Sequence, residues 1–130
     1  TIEVNAFRIN IFSSHMKVFI KPKQRHEPIN AILRSNKDCY HCVVAGDFNT
    51  FFKKDYDYFA TPFRREEFSL MTEDVQWTYH HWYLFNKKSL LDHIFTRGFT
   101  KMASGKILDN SGSDHLPIWV KLELKETQWE

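Results

Sequence analysis

The spacing of apolar and polar residues predicts a sheet built from several strands. Residues 7–12 alternate apolar and polar side chains before ending in an apolar pair, which is typical of a strand. Residues 42–45 form a short continuous apolar run, which favours a strand buried on both faces. Residues 117–124 alternate along their length and predict a strand with one face in water. Three further β-prone segments are 77–83, 89–96 and 101–108.

A helix is predicted between the first two of these strands. Pro22 suits the first turn of a helix, and residues 23–34 carry three aliphatic side chains at helical spacing. Pro28 either kinks this helix or marks a later start near Glu27. Residues 51–76 mix aromatic side chains with charges and predict a short helix and loops.

The order of elements predicts a single α/β (α+β) domain over residues 1–130 with a mixed sheet. A chain of 130 residues with 42% hydrophobic content can bury a core. No apolar stretch approaches the ~18 residues needed to cross a bilayer, so we expect no membrane span. Residues 109–113 carry a strong loop signal. The first residue is Thr rather than Met, which favours a processed or truncated chain.

The charge is uneven although the net charge is only +2. Residues 1–37 hold seven Lys and Arg against two acidic residues, whereas residues 38–130 hold eleven against fourteen. A basic region beside an acidic one could steer a polyanion toward a metal-binding patch. The alternative is an ordinary solvated helix face.

The only two cysteines, Cys39 and Cys42, form one C-x-x-C motif. A structural zinc site needs four ligands, and a thioredoxin-type motif opens a helix, whereas this motif opens a predicted strand. We therefore expect two free thiols, with Cys42 buried. The sequence carries no recognisable secretion signal, which favours an intracellular, reducing compartment.

Polar side chains gather in three clusters at the ends of predicted strands. They are Gly-Asp-Phe-Asn-Thr at 46–50, Leu-Asp-His-Ile-Phe at 91–95 and Ser-Asp-His-Leu-Pro at 113–117. Strand ends present catalytic groups because the loops there are free to carry unpaired polar side chains. A single Asp after a strand is commonly a turn former or a helix cap. Three clusters, each with Asp beside Asn or His, favour a functional site.

Together the clusters resemble the signatures of the DNase I-like endonuclease/exonuclease/phosphatase superfamily. Its signatures are a Gly-Asp-x-Asn box, an Asp in a Leu-Asp-x-Ile-Phe strand and a terminal Ser-Asp-His-x-Pro box, and all three occur here in the family's order. Ser14-His15-Met16 resembles the family's strand-ending His, and residues 77–79 resemble its aromatic segment. The resemblance implies a divalent-metal-dependent phosphoesterase with the mixed sheets and flanking helices of a four-layer α/β sandwich.

The resemblance also implies a catalytic role for each matching residue. His115 would act as general base or contact the scissile phosphate, and Asp92 would bind its other ring nitrogen. Asp47 would orient the attacking water or assist a metal, and Asn49 would hold Asp47 and donate to a phosphoryl oxygen. His15 would donate to a non-bridging phosphate oxygen.

The same resemblance implies a metal site and a substrate site. Asp114 and Asp47 would hold the metal, and such oxygen ligands suit Mg²⁺ or Mn²⁺. For Arg25, a solvated charge is the alternative to a phosphate contact. The residues predicted to bind substrate are Arg25, Asn49, His15 and Trp77.

The chain departs from the family pattern in one respect. Family domains consist of two similar halves, and the N-terminal half supplies the Glu that is the principal metal ligand. Only fourteen residues precede His15, and Glu3 lies in no matching motif. The chain therefore resembles the C-terminal half. This predicts weak metal binding and an exposed apolar sheet face, which the missing half or a second chain would cover.

Two functions remain open at this point. The first is a nuclease-like hydrolase that cleaves phosphodiester bonds with an Asp-His pair activating water, and DNA, RNA, phospholipid and inositol phosphate are all possible substrates. The second is a non-catalytic domain of the same fold that self-associates or binds nucleic acid or protein, because the metal-binding Glu is absent.

Overall fold

The chain folds into a five-stranded sheet, two helices and two small two-stranded sheets over the part that the structure describes. That part, in a computed structural model, is residues 1–109 and 112–126. The helices are α1 (Pro22–Arg34) and α2 (Lys53–Arg65). The strands are β1 (Ile2–Val4), β2 (Phe7–His15), β3 (His41–Asp47), β4 (Ser69–Leu70), β5 (Tyr79–His81), β6 (Lys87–Ser89), β7 (Asp92–Arg97), β8 (Phe99–Lys106) and β9 (Ile118–Leu124).

The large sheet is mixed and has the order β1-β2-β3-β7-β4. β2 and β3 are parallel and are connected through α1, whereas the other neighbours are antiparallel. β5 pairs with β6, and β8 pairs with β9 across an irregularity between Lys101 and Ala103. The predicted α/β (α+β) class with a mixed sheet is confirmed.

The predicted elements differ from the observed ones at a few boundaries. α1 begins at Pro22, where the missing N–H costs no intrahelical bond, and it continues through Pro28. The segment 77–83 is a strand only over Tyr79–His81. Part of the predicted loop at 109–113, Asn110 and Ser111, lies outside the described residues.

The predicted strand at 89–96 is instead two strands separated at Leu90 and Leu91. Thr78 Oγ1 accepts a hydrogen bond from the Leu91 N–H at 3.1 Å, and Thr50 Oγ1 donates to the Leu90 carbonyl at 3.1 Å. Side chains thus satisfy backbone groups that a ladder would otherwise pair. Leu91 is apolar and buried although it lies in neither strand, so the pattern of apolar residues does not reveal the break.

The main core lies between the two helices and one face of the large sheet. Phe63 and Phe95 stack with ring centroids 4.4 Å apart, and Phe48 packs on Phe59 at 4.8 Å. All four rings are fully buried, and each burial stabilises the fold by about 2 kcal/mol. The mixed segment at 51–76 therefore contains an amphipathic helix, α2, whose aromatic residues complete the core.

The opposite face of the large sheet is partly open at its β1–β2 edge. Ile2 lies opposite Ile9 in the strand register, so the two side chains share a face. Ile9 is buried, whereas Ile2, Val4 and Ile11 are exposed, the last by 51%. Apolar side chains are therefore exposed at this edge, and a covering half or second chain stays a prediction.

Neither of the two described helices is both long and apolar enough to cross a bilayer.

Candidate active site

The ends of β2 and β3 and the start of β7 lie side by side and place three polar side chains at one edge of the large sheet. In the strand register His15 lies opposite Asp47, and Asp47 lies opposite Asp92. Because β3 and β7 are antiparallel, the end of one meets the start of the other. His115 reaches the same edge from the segment between β8 and β9, where it forms an isolated β-bridge with Tyr79.

His115 lies between two carboxylates. Its Nδ1 is 2.8 Å from Asp92 Oδ2, and its Nε2 is 3.8 Å from Asp47 Oδ2. An ionised carboxylate only accepts hydrogen bonds, so Nδ1 carries the proton and Nε2 of the neutral ring presents its lone pair toward Asp47. His15 Nε2 approaches the same Asp47 oxygen at 3.7 Å. Two imidazoles therefore flank one carboxylate oxygen.

The surroundings of Asp47 favour a cation beside it. Burial has the largest influence and raises the pKa of Asp47 above its usual range. The Asn49 N–H donates to Oδ1 at 2.9 Å and opposes this rise, while the charge of Asp92 adds to it. The net effect is an elevated pKa, which means that the carboxylate is incompletely stabilised by the protein. Protonated histidine or a metal ion would complete that stabilisation.

The loop that carries Asp47 requires glycine and asparagine at two positions. A Cβ at Gly46 would lie 1.8 Å from the Ser14 carbonyl oxygen, so only glycine lets β2 and β3 approach this closely. Asn49 has φ of 51°, a left-handed conformation that asparagine tolerates. Its Nδ2 donates to the Met16 carbonyl at 2.6 Å. The Gly-Asp-x-Asn spacing thus fixes the backbone that aims Asp47.

Arg25, predicted to bind substrate, lies buried beneath this loop. Its two terminal nitrogens donate to the carbonyl oxygens of Phe48 and Asn49, the latter at 3.1 Å. Because both terminal nitrogens donate to backbone carbonyl oxygens of the loop, Arg25 holds the loop in position. A contact between Arg25 and substrate stays a prediction.

Thr78 holds the Asp92 side of the site, a role that was not anticipated from the sequence. Its fully buried hydroxyl accepts hydrogen bonds from the N–H groups of Leu91 and Asp92, at 3.1 and 3.2 Å. Its carbonyl accepts the Leu116 N–H at 2.7 Å, next to His115. One residue therefore links the segments that carry the Asp92–His115 pair. The sequence feature that could have indicated this role is Thr78 itself, which lies in the aromatic segment at residues 77–79.

Of the other predicted residues, Asp114 lines the site and Trp77 does not. Asp114 is exposed and borders the same cavity as Asp47 and His115. Trp77 is half-buried, and its ring lies under Lys88 and Lys106, with Nζ at 4.4 and 4.3 Å from the centroid. It is not among the residues that line the cavity. Substrate binding by Trp77 stays a prediction.

His93 follows Asp92 but points to the other side of the sheet. It is fully buried among the core phenylalanines, and its Nε2 lies 2.8 Å from Thr50 Oγ1. Burial lowers the pKa of His93 to about 3. The alternation of side chains along a strand predicted this separation from Asp92. Cys39 and Cys42 are both free and Cys42 is buried, as expected, and Cys39 is buried as well.

The donor atoms fit a weakly held divalent cation. Asp47, Asp92 and His115 each offer one atom within a group whose members lie within 4.8 Å of one another. Asp114 is not a member of this group, although it is exposed and lines the same cavity. Mg²⁺ binds proteins through one or two carboxylates and keeps several waters, so a site with few protein oxygens suits it. Binding of the ion by Asp47 and Asp114 stays a prediction.

An open cavity of about 520 Å³ lies over this site. Its polar floor is formed by His15, Asp47, Asn49, Asp114 and His115. Its walls and mouth are largely aromatic and aliphatic, and sequence reasoning did not assign these residues to the site. They are Val18, Phe19, Phe51, Phe52, Tyr79, His81, Tyr83, Leu84 and Leu91, with Lys87 among them.

Solved structures with the same fold are similar to nearly the whole chain. A protein of the endonuclease/exonuclease/phosphatase family from Leptotrichia buccalis C-1013-b has a TM-score of 0.73 at 23% identity, over 95% of this chain and 52% of that protein. A mannosyl-6-phosphatase from Bacteroides thetaiotaomicron VPI-5482 has a TM-score of 0.70 at 19% identity, over 92% and 53%. TDP2 from D. rerio, complexed with a single strand DNA product, has a TM-score of 0.62 at 16% identity, over 87% and 55%.

The chain spans about half the length of each of these proteins. No curated protein sequence matches it. The structural likeness confirms the DNase I-like fold predicted from the three polar clusters. A family model matches residues 6–115, which include the first two clusters and the Ser-Asp-His of the third, and the chain belongs to the Endonuclease/Exonuclease/phosphatase family.

Proposed function

We propose that the chain carries the catalytic site of a divalent-metal-dependent phosphoesterase that hydrolyses phosphodiester bonds in the manner of a nuclease. The observation that supports this most directly is the line of Asp92, His115 and Asp47, with contacts of 2.8 and 3.8 Å. A carboxylate that orients an imidazole is an arrangement that supports general base catalysis. Its position on the floor of an open cavity gives a phosphoester access to it.

The attacking water would bind between His115 Nε2 and Asp47 Oδ2. Both atoms accept hydrogen bonds, and a separation of 3.8 Å allows one water to donate to both. Nε2 takes a proton as the water attacks phosphorus, and Asp92 stabilises the imidazolium that forms. In an in-line displacement the leaving oxygen departs on the opposite side of phosphorus and takes its proton from solvent, and the imidazolium returns its own proton to solvent.

His15 and Asn49 would receive the phosphate. His15 is largely exposed on the Asp47 side of the cavity, where a protonated ring can donate to a non-bridging oxygen. Asn49 has one amide hydrogen bonded to Met16 and a second one available to substrate. When bound at Asp47 and Asp114, Mg²⁺ or Mn²⁺ supplies positive charge for the phosphoryl oxygens.

A panel of phosphoesters tests this proposal. The chain is incubated with bis-p-nitrophenyl phosphate, p-nitrophenyl phosphate and a single-stranded DNA or RNA oligonucleotide, with Mg²⁺, with Mn²⁺ or with EDTA. The monoester belongs in the panel because one similar structure is a phosphatase, and the oligonucleotides because another holds a DNA product. We expect metal-dependent diester cleavage that His115→Gln abolishes and His26→Gln leaves unchanged. Metal-independent cleavage, or full activity of His115→Gln, would contradict it.

A second candidate is a non-catalytic domain that self-associates or binds nucleic acid or protein. The exposed side chains of Ile2, Val4 and Ile11 on the outer sheet face favour it. It predicts no turnover of any ester together with a concentration-dependent sedimentation coefficient. The triple substitution of these residues by Thr would then abolish association and leave thermal stability intact.

A further inference from the structure

The mouth of the active-site cavity carries an unusual set of exposed apolar side chains. Residues 82–85, in the turn between β5 and β6, read Trp-Tyr-Leu-Phe. Trp82 is 74% exposed, Tyr83 62% and Phe85 100%. Phe19 is 91% exposed and stacks on Phe51 with ring centroids 6.0 Å apart. Exposure of so many large apolar groups in one region marks an interaction surface.

These side chains surround the cavity and do not fill it. Phe19, Tyr83 and Leu84 line the cavity, together with Val18 and Phe52, which are also exposed. Trp82 and Phe85 flank these residues in the turn and do not line it. We call this set the cavity rim, defined as Val18, Phe19, Phe52 and residues 82–85.

The two most exposed phenylalanines are held in a strained backbone conformation. Phe19 has φ of 56° and Phe85 has φ of 51°. In this left-handed region the Cβ of a bulky residue crowds its own backbone, which makes the conformation unfavourable. Asparagine would fit both positions better, and neither ring is buried in return for the strain. The fold therefore holds both rings outward at a cost to stability.

Lysine residues accompany the rim. Lys87 and Lys54 lie with Nζ 5.3 and 5.9 Å from the centroid of Phe52, and Lys53 borders a neighbouring cavity that Phe52 also lines. In the described part of the chain none of these three ammonium groups forms an ion pair with a carboxylate. The nearby acid Glu73 is itself paired with Lys101 at 2.8 Å. These lysines thus place positive charge at the Phe52 side of the rim.

We propose that the cavity rim docks on the surface of an anionic phospholipid bilayer. Aromatic and aliphatic side chains flanked by lysines match the two layers of such a surface, in which acyl chains lie below anionic headgroups. Val18 and Leu84 have no aromatic face for a base, and Phe85 and Trp82 lie outside the cavity lining, so the set suits a lipid interface better than a nucleic-acid strand.

Docking would hold the cavity mouth against the phosphate layer of the membrane. The phosphodiester of a lipid headgroup has the bond type that the proposed function requires, so docking would add a substrate class to that proposal. The docking itself rests on the rim and the lysines and needs no catalysis. A binding measurement therefore tests it whether or not the chain hydrolyses esters.

The experiment is vesicle flotation of the whole chain, without metal. Vesicles of phosphatidylcholine with phosphatidylserine are compared with vesicles of phosphatidylcholine alone. We expect binding that is stronger on the mixed vesicles and weakens with added salt. The double variant Phe19→Asn/Phe85→Asn should bind at least about tenfold more weakly. The double variant Lys54→Gln/Lys87→Gln should lose most of the preference for phosphatidylserine.

Two controls separate docking from a structural effect. Ile107→Asn/Leu108→Asn removes two exposed apolar side chains outside the cavity lining and should leave vesicle binding unchanged. The thermal midpoint of Phe19→Asn/Phe85→Asn should equal or exceed that of the unsubstituted chain, because the strain is relieved. A structural role for the two rings would lower it.

The proposal is overturned if the chain binds neither kind of vesicle, or if the double Phe variant binds as tightly as the unsubstituted chain. It is also overturned if the chain stays off vesicles but binds a single-stranded oligonucleotide and loses that binding in Phe19→Asn/Phe85→Asn. That last result would assign the rim to nucleic acid.

Discussion

Asp92 Oδ2 accepts a hydrogen bond from Nδ1 of His115 at 2.8 Å, although 22 residues lie between the two in the chain. The bond places Nε2 on the side of Asp47, 3.8 Å from Asp47 Oδ2. It therefore decides which nitrogen can take a proton from water. The bond joins β7 to the segment before β9, and it depends on both segments being placed correctly.

Replacing Asp92 by Asn should remove most of the proposed hydrolysis with little change in shape. The amide loses the negative charge that stabilises the imidazolium, and its NH₂ can donate to Nδ1 and so favour the wrong tautomer. We expect the turnover number for bis-p-nitrophenyl phosphate to fall by about 10²- to 10⁴-fold. Asp38→Asn, at an exposed position away from the cavity, is the matched control. Equal turnover in Asp92→Asn and Asp38→Asn would remove Asp92 from the mechanism.

The motif residues could be predicted to meet because strand pairing brings them together. Asp47 ends a strand and Asp92 begins one, so an antiparallel pair places them opposite each other. The family resemblance supplied His115 and His15, and the register places His15 opposite Asp47. Strand patterns and motif spacing were therefore enough to predict that most of these residues meet.

Other features depend on contacts that no local pattern records. Arg25 looks like any helix cation in the sequence, and its role follows only from its bonds to loop carbonyls in another element. Likewise, the break at Leu91 comes from the hydroxyl of Thr78, thirteen residues earlier in the chain. The exposed Phe19 and the buried Phe59 are also alike in a sequence, since burial depends on the tertiary fold.

Replacing Asp114, a predicted metal ligand, by Asn should weaken Mn²⁺ binding without unfolding the chain. Asp114 is exposed and lines the cavity, so Asp114→Asn changes the donor set and little of the packing. We expect the dissociation constant for Mn²⁺, measured by electron paramagnetic resonance of the free ion, to rise about tenfold. Asp109→Asn, an exposed change a few residues away, should have no effect. Identical Mn²⁺ affinity in the two variants would place the ion elsewhere.

Thr78→Val should destabilise the fold through two backbone groups. The change keeps the shape of the side chain but leaves the N–H groups of Leu91 and Asp92 without their acceptor in a buried region. Buried groups left without a partner cost about 1–3 kcal/mol each, so the free energy of unfolding should fall by at least about that amount. Urea denaturation followed by tryptophan fluorescence measures it.

The control for Thr78→Val is Thr100→Val, which makes the same change at an exposed position of β8. That change should alter the free energy of unfolding by less than about 0.5 kcal/mol. If both variants were equally stable, the hydroxyl of Thr78 would not be what holds Asp92. The Thr78→Val variant should also lose turnover, because Asp92 is no longer fixed beneath His115.

Stability should fall as the solution is acidified, and His93 should account for part of the fall. Burial lowers the pKa of His93 to about 3 in the folded chain, whereas the unfolded chain has an ordinary histidine near 6.5. Below pH 6.5 the unfolded chain therefore binds a proton that the folded chain does not, so the free energy of unfolding decreases as pH falls toward 3. Between pH 6.5 and 5 this one residue contributes a loss of about 1–2 kcal/mol.

His93→Phe removes that proton and keeps an aromatic ring among Phe48, Phe59 and Phe95. We expect the variant to have a shallower dependence of unfolding free energy on pH between 6.5 and 5, whatever its stability at neutral pH. The six other histidines also change charge in this window, but both proteins contain them, so the difference between the two slopes reports His93. Urea denaturation at three pH values in this window gives both slopes. Parallel curves for the two proteins would show that the imidazole is not held neutral by the core.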